Sequence, residues 1–179
     1  MNNYMNIIKC VSWGRVEPLH KEWDTFKNVP EPQKLNTSKF YVDTECIRGK
    51  TPKRTLGYIR EAVGDPTTTD NILGCIMILT KDIKGLSVGG IGKMAVNPLY
   101  RRNGVASQLL NVAIAYMYQA QFDISLLYAS VLHVYEKVGY VPLTEDHRET
   151  NMMYRPIKGL PTGWSKQMLL DLKDKIGMF

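Results

Sequence analysis

Between residues 86 and 130 the sequence changes its repeat, and those changes limit the fold more than any other feature. Residues 86–96, LSVGGIGKMAV, form a glycine-rich run that ends apolar, and Pro98 closes it. From about 103 to 120, Val105, Leu109, Val112, Ala113 and Tyr116 recur at three- and four-residue steps. That is the spacing of a helix packed on one face. FDISLLYAS (122–130) reads as a buried strand. VLHVYEKV (131–138) reads as a short helix, with Gly139 fitting its C-terminal cap. YVPL and ETNMMYRPI read as two last strands. A strand–helix–strand–helix–strand series predicts an α/β chain with a mixed sheet.

Upstream, NIIKCVSW (6–13) predicts a first strand. Pro18, Leu19, Trp23 and Phe26 predict a helix over roughly 17–28. KFYVDTECI (39–47) reads as a strand, and TLGYIREAV with NILGCIMILT as a hairpin across the turn residues GDPTTTD. After a PTG turn, Ser165 can N-cap a final helix carrying Met168, Leu169, Leu172 and Ile176. A length of 179 residues suits one domain. The expected division is a single domain over 1–160 and a helical extension over 161–179 packed on it.

The formal net charge of +6 favours anionic partners such as phosphorylated cofactors, nucleic acid or acidic lipid. No Lys/Arg-rich 5–8-mer supports nucleic acid. Cys10, Cys46 and Cys75 are odd in number and widely spaced, and His20, His133 and His147 are as scattered. No zinc spacing results, and free thiols in a reducing compartment are expected. The N-terminus lacks the pattern of a signal peptide and no stretch reaches 18 apolar residues, so a cytoplasmic protein with no membrane span is expected.

Two nucleotide motifs fail on context. Gly90-Ile-Gly92-Lys-Met-Ala95 matches G-x-G-x-x-G/A, but no helix starts at Gly92, because the apolar run continues to Pro98. As a P-loop the same stretch would need a glycine at Ser87 and a Ser or Thr at Met94. These glycines therefore read as ones that loosen or bulge a strand. The entry to the following helix is different. A helix N-terminus has unpaired N–H groups and partial positive charge. Gly104 removes a side chain that would keep a phosphate off the backbone, Ala106 is small, and Arg101 and Arg102 add full charges. Everything in NPLYRRNGVASQLL suits a pyrophosphate.

Arg101-x-x-Gly104-x-Ala106, after an apolar strand and a proline, resembles the Q/R-x-x-G-x-G/A motif of the GNAT N-acetyltransferase superfamily. Some thirty residues on, VYEKVGYVPL (134–143) resembles that superfamily's second landmark, a helix tyrosine followed by a glycine–aromatic pair that opens a strand. The resemblance spans about residues 83–143. It implies the GNAT fold, a mixed central sheet with two splayed parallel strands and flanking helices. It implies acetyl-coenzyme A in the cleft between those strands. The pyrophosphate would lie on the amides of Arg102, Asn103, Gly104, Val105 and Ala106, with Arg101 beside them. The pantetheine arm would pair with the main chain of Met94, Ala95 and Val96, and an amide there would polarise the thioester carbonyl. An amine would attack directly, and Tyr135 would protonate the leaving thiolate.

The chain departs from the family's pattern in two places. Many members carry an asparagine after the strand that precedes the tyrosine helix; LYASVLHVY has none, and Ser130, or Tyr128, stands in that region. Residues 86–96 hold no acidic residue to act as general base. Catalysis would then need a water relay, a carboxylate from elsewhere, with Glu61, Asp82 and Glu149 as candidates, or an acceptor with a low amine pKa. The expected activity is acetyl transfer to a primary amine of a small molecule or peptide, by a monomer or homodimer. A coenzyme A-binding module without turnover and an enzyme acting on aminoacyl-tRNA are the alternatives.

Overall fold

The computed structural model describes residues 38–45, 53–61, 72–146 and 150–171. Within them seven strands form one sheet in the order β1-β2-β3-β4-β5-β7-β6. The strands are β1 (Ser38–Glu45), β2 (Lys53–Glu61), β3 (Ile72–Ile83), β4 (Leu86–Val96), β5 (Ile124–Tyr128), β6 (Val141–Pro142) and β7 (Met152–Pro156). The helices are α1 (Val105–Gln119), α2 (Leu132–Glu136) and α3 (Lys166–Asp171). β1 to β4 are an antiparallel meander, and β4 and β5 are parallel with α1 as their crossover. β7 pairs antiparallel with both β5 and β6. The expected mixed α/β architecture is present. The expected strand at 6–13, the helix at 17–28, the GDPTTTD turn, and Leu172 and Ile176 lie outside the described residues.

α1 covers one face of the sheet. Its buried residues are Val105, Leu109, Leu110, Ala113, Ile114 and Met117, which join Leu73, Ile76, Ile78, Ile91, Leu127 and Met153 in one core. The expected stripe is corrected here, because Val112 and Tyr116 are only partly buried. A broad sheet surface buries two adjacent i, i+4 rows, 105-109-113-117 and 110-114, so the helix sits rotated from the single stripe read in the sequence. The opposite face buries Leu86, Val88, Ile124, Leu126, Met152 and Tyr154 together with Leu169 of α3. Ser165 begins α3 as its sequence suggested: its Oγ accepts the Met168 N–H at 3.2 Å.

Two features of β4 shape everything above it. Near its start, Asp123 locks it to β5 and to the end of β7. The Asp123 N–H donates to the Ser87 carbonyl at 2.9 Å, and its Oδ2 accepts the Ser87 N–H at 2.8 Å. Its carbonyl accepts the N–H groups of Ile157, Lys158 and Gly159 at 2.9, 3.1 and 3.2 Å. Further along, the register with β3 slips: Met77 faces Gly92 and Cys75 faces Ala95, leaving Lys93 and Met94 opposite Ile76. This is a β-bulge, with Lys93 in left-handed backbone at φ 46°. The bulge falls directly after the glycines that the sequence marked for one. Parallel pairing with β5 stops at Ile91 opposite Leu127, and beyond it the two strands part.

Candidate active site

The gap between β4 and β5 opens into a cleft of about 510 Å³ lined by Lys93, Met94, Ala106, Tyr128, Ser130, Val131, Val134 and Tyr135. Four of the residues singled out in the sequence, Met94, Ala106, Ser130 and Tyr135, thus line one cleft. Tyr128, the alternative to Ser130, lies on it too. Ala95 is buried behind the bulge, and Val105 points into the core, so each can offer only main chain. Val96 packs against the α1 core, and its carbonyl accepts Nε–H of Arg101 at 3.2 Å. Lys93, Val131 and Val134 were not singled out. Lys93 was hidden because nothing marks a lysine for a left-handed bulge position, although Gly92 beside it was a signal.

The approach to α1 is a short, self-bonded turn. Asn97 Oδ1 accepts the Leu99 N–H at 3.1 Å and starts a 3₁₀ turn over Pro98–Tyr100. Asn103 Nδ2 donates to the Tyr100 and Arg101 carbonyls at 3.3 and 3.2 Å. Arg102 and Gly104 both take left-handed backbone, φ 63° and 78°. Gly104 is the N-cap, with no side-chain cap and no acidic residue in the first turn of α1. A Cβ built on Gly104 meets no heavy atom within 4 Å, so the space over it is open. Leading amides with no internal acceptor, a helix dipole and the exposed Arg102 together suit an anion.

Tyr135 stands on the other side of the cleft, on α2. A five-residue helix has little stability of its own. Its C-terminus is closed by a Schellman arrangement: Gly139, at φ 84°, donates to the Glu136 carbonyl at 2.9 Å, and the Tyr140 N–H donates to the Tyr135 carbonyl at 3.1 Å. The Tyr135 ring meets Tyr140 edge-on, with centroids 6.2 Å apart at 76°. Partial burial raises the Tyr135 phenol above its ordinary value, which keeps it protonated at neutral pH. Tyr140 is pushed up further by deeper burial, partly offset by the charge of Arg155. His133, two residues from Tyr135, is exposed and off the cleft wall.

The candidate bases are dispersed. Asp82 caps the β3–β4 turn, accepting the Gly85 N–H at 2.9 Å. It lies opposite Ser87, at the end of β4 away from Lys93. Glu61 ends β2 at the end of the sheet that also holds Val96, since Arg60 faces Ile72 and Gly74 faces Val96. Glu149 lies outside the described residues. No carboxylate lines the cleft among the described residues.

Residues 67–143 match the family model described as an acetyltransferase (GNAT) domain. No curated protein matches the sequence. Among solved structures, the chain is similar to the NatC complex bound to Gag peptide and CoA, with TM-score 0.48 and 23% identity over 56% of this chain and 70% of that one. It is similar to a GNAT-family acetyltransferase from Staphylococcus aureus, with TM-score 0.44 and 18% identity over 58% and 68%. It is also similar to mutant forms of the spermidine/spermine N-acetyltransferase SpeG from Vibrio cholerae, with TM-score 0.46 and 16% identity over 63% and 70%. The segment similar to a GNAT acetyltransferase domain runs from just before β3 to just past β6 and contains the parted strands, the α1 entrance and Tyr135.

Proposed function

We propose that the chain transfers the acetyl group of acetyl-coenzyme A to a primary amine by direct attack. The observation that carries this reading is a convergence. The open N-terminus of α1 and the protonated phenol of Tyr135 flank the cleft that forms where β4 leaves β5. The residues fit the cosubstrate. Space over Gly104 admits a diphosphate to the amides of Arg102 to Ala106, and Arg102 is exposed beside them. The edge of β4 at Met94, Ala95 and Val96, past the last pairing with β5, offers main-chain groups to an extended pantetheine arm. Bound acetyl-coenzyme A supplies the activated acetyl group as a thioester.

Each residue then has a task. A main-chain amide near Met94 to Val96 polarises the carbonyl under attack. Tyr135 holds a proton at its hydroxyl for the departing sulfur. Ser130 or Tyr128 donates to the pantetheine arm from the β5 side. With no carboxylate on the described wall, the amine loses its proton to water or to a group beyond that wall, and Glu61 is at the matching end of the sheet. The acceptor is a small-molecule or peptide amine. Residues 1–160 act as one domain, with α3 as an extension seated on the β-sheet core through Leu169. No helix among the described residues is long and apolar enough to cross a membrane.

The test is an acetyl-donor assay against a mixed panel of small amines, peptides and aminoacyl-tRNA, read by mass spectrometry. Acetylated product with the parent protein and none with Gly104→Glu supports the reading. Acetyl-coenzyme A binding in calorimetry with no product anywhere in the panel would replace it with a coenzyme A-binding module.

A further inference from the structure

We infer that Tyr140, anchored through Ser125 and Arg155, is a positioning residue that sets where the Tyr135 hydroxyl sits in the cleft. The inference rests on the proton-donor reading of Tyr135 and extends it to residues that never touch the cosubstrate.

Three contacts build the anchor. Ser125 on β5 is fully buried, and its Oγ lies 2.9 Å from the Gly89 carbonyl and 2.6 Å from the Tyr140 hydroxyl. A serine hydroxyl has one proton. The carbonyl can only accept it, so Ser125 donates to Gly89 and Tyr140 donates to Ser125. This makes a chain from the Tyr140 ring to the backbone of β4, in the stretch where β4 is paired on both sides. Arg155, opposite Ser125 across β5 and β7, donates through Nη1 to the Val138 carbonyl, one residue before the Gly139 cap. Its Nε–H is buried with no acceptor, so the guanidinium is held there at some cost in desolvation.

Apart from Leu132, Val134 and Val138, which pack partly buried against the α1 core, little else fixes α2. It has five residues, no side-chain N-cap and no fully buried residue of its own. The Tyr135 carbonyl accepts from Val138 and from Tyr140, at 3.0 and 3.1 Å. The Tyr135 ring leans on the Tyr140 ring, which is 1% exposed. Backbone and side chain of Tyr135 are thus both referenced to Tyr140, and Tyr140 to the sheet. The other titratable groups near Tyr135 are Lys93 and Tyr128 on the cleft wall, Tyr116 packed on the same core, and exposed His133 and Glu136 on α2 itself.

The test reads Tyr135 directly and needs no acceptor. Protein labelled with ¹³Cζ-tyrosine is titrated by NMR, and the Tyr135 signal is the one missing from Tyr135→Phe. Tyr140→Phe retains the ring and removes one oxygen, and Ser125→Ala removes its partner; both are titrated below their melting temperatures. The parent Tyr135 midpoint lies above the ordinary ~10 of a tyrosine. In both variants it falls toward that value, because a ring that swings free is more hydrated. With any acceptor the amine panel returns, kcat falls about fivefold to tenfold while KM for acetyl-coenzyme A stays within about twofold. In the Tyr135→Phe background, Tyr140→Phe costs no further turnover. If Tyr135→Phe turns over normally, the proton-donor reading fails and takes the inference with it. If Tyr135→Phe is slow but the Tyr135 midpoint in Tyr140→Phe is unmoved, or the two kcat losses multiply, the inference alone is overturned.

Discussion

The two halves of β4 have opposite lives. Residues 86–91 are paired with β3 on one side and, from Val88, with β5 on the other. Asp123 closes that end with bonds to Ser87, Ile157, Lys158 and Gly159. Residues 92–96 are paired with β3 alone, interrupted by the bulge at Lys93 and Met94. One half spends its backbone groups on the fold; the other turns a strand edge toward the cleft. The lesson is that a single strand can be scaffold along one half and offer an open edge along the other, provided something stops the pairing part-way. Here the bulge and the parting of β4 from β5 do so.

This contrast can be broken or sharpened by four measurements. The largest effect is expected at the α1 entrance. Gly104→Glu places a side chain in left-handed backbone and a negative charge over the leading amides. The Kd for acetyl-coenzyme A should rise at least about 100-fold in calorimetry, while the strained backbone lowers the melting temperature by only a few degrees and leaves the protein folded. Unchanged affinity would remove the phosphate cradle from the functional half. Next, Tyr135→Phe should lower kcat about 10²-fold with little change in Kd for the cosubstrate. The sign with pH follows from the raised phenol: the acid form persists through neutral and mildly alkaline pH, and activity is lost as pH climbs past the raised midpoint. That alkaline limb should vanish in Tyr135→Phe.

On the scaffold half the effect belongs to stability. Asp123→Ala leaves the part-buried Ser87 N–H without its acceptor and removes the Lys158 ion pair at 3.5 Å. We expect a loss of about 2 kcal/mol in denaturant unfolding, with the Kd for acetyl-coenzyme A unchanged while the protein remains folded. A matching fall in affinity would mean the two halves are not separable. The smallest effect is expected from Arg102→Ala. Its guanidinium is exposed, so affinity should weaken only about threefold at physiological salt, and the difference should shrink as salt rises.

The sequence made the second half of this fold readable because each element there carries its own local code. Period-3.6 spacing marks α1, Gly139 marks the end of α2, and Ser165 marks the start of α3. The motif order also brought Met94, Ala106, Ser130 and Tyr135 to one cleft, since their placement follows from β4 preceding α1 and β5 preceding α2. What it left out depends on long-range choices. The face α1 buries was set by the breadth of the sheet, so Leu110, Ile114 and Met117 displaced Val112 and Tyr116 from the centre. The position of Lys93 follows from a register slip against Ile76, which no property of a lysine announces. Asp82 looked as good a base as Glu61 until pairing put it opposite Ser87. The order Tyr140–Ser125–Gly89 joins residues 15 and 36 apart in sequence, distances at which only the assembled sheet decides who meets.

The junction at Asp123 also carries a statement about time. It joins Ser87, 36 residues upstream, to amides at 157–159, so three segments must arrive before its bonds exist. Closing loops of that length delays such contacts relative to the local β3–β4 hairpin and the α1 helix. Asp123 should therefore be a late-forming site with a folding φ-value near zero, and its loss should speed unfolding while leaving the folding rate almost untouched. The parted strands of the cleft, in that sequence of events, take their final form only as the opposite end of the sheet is tied.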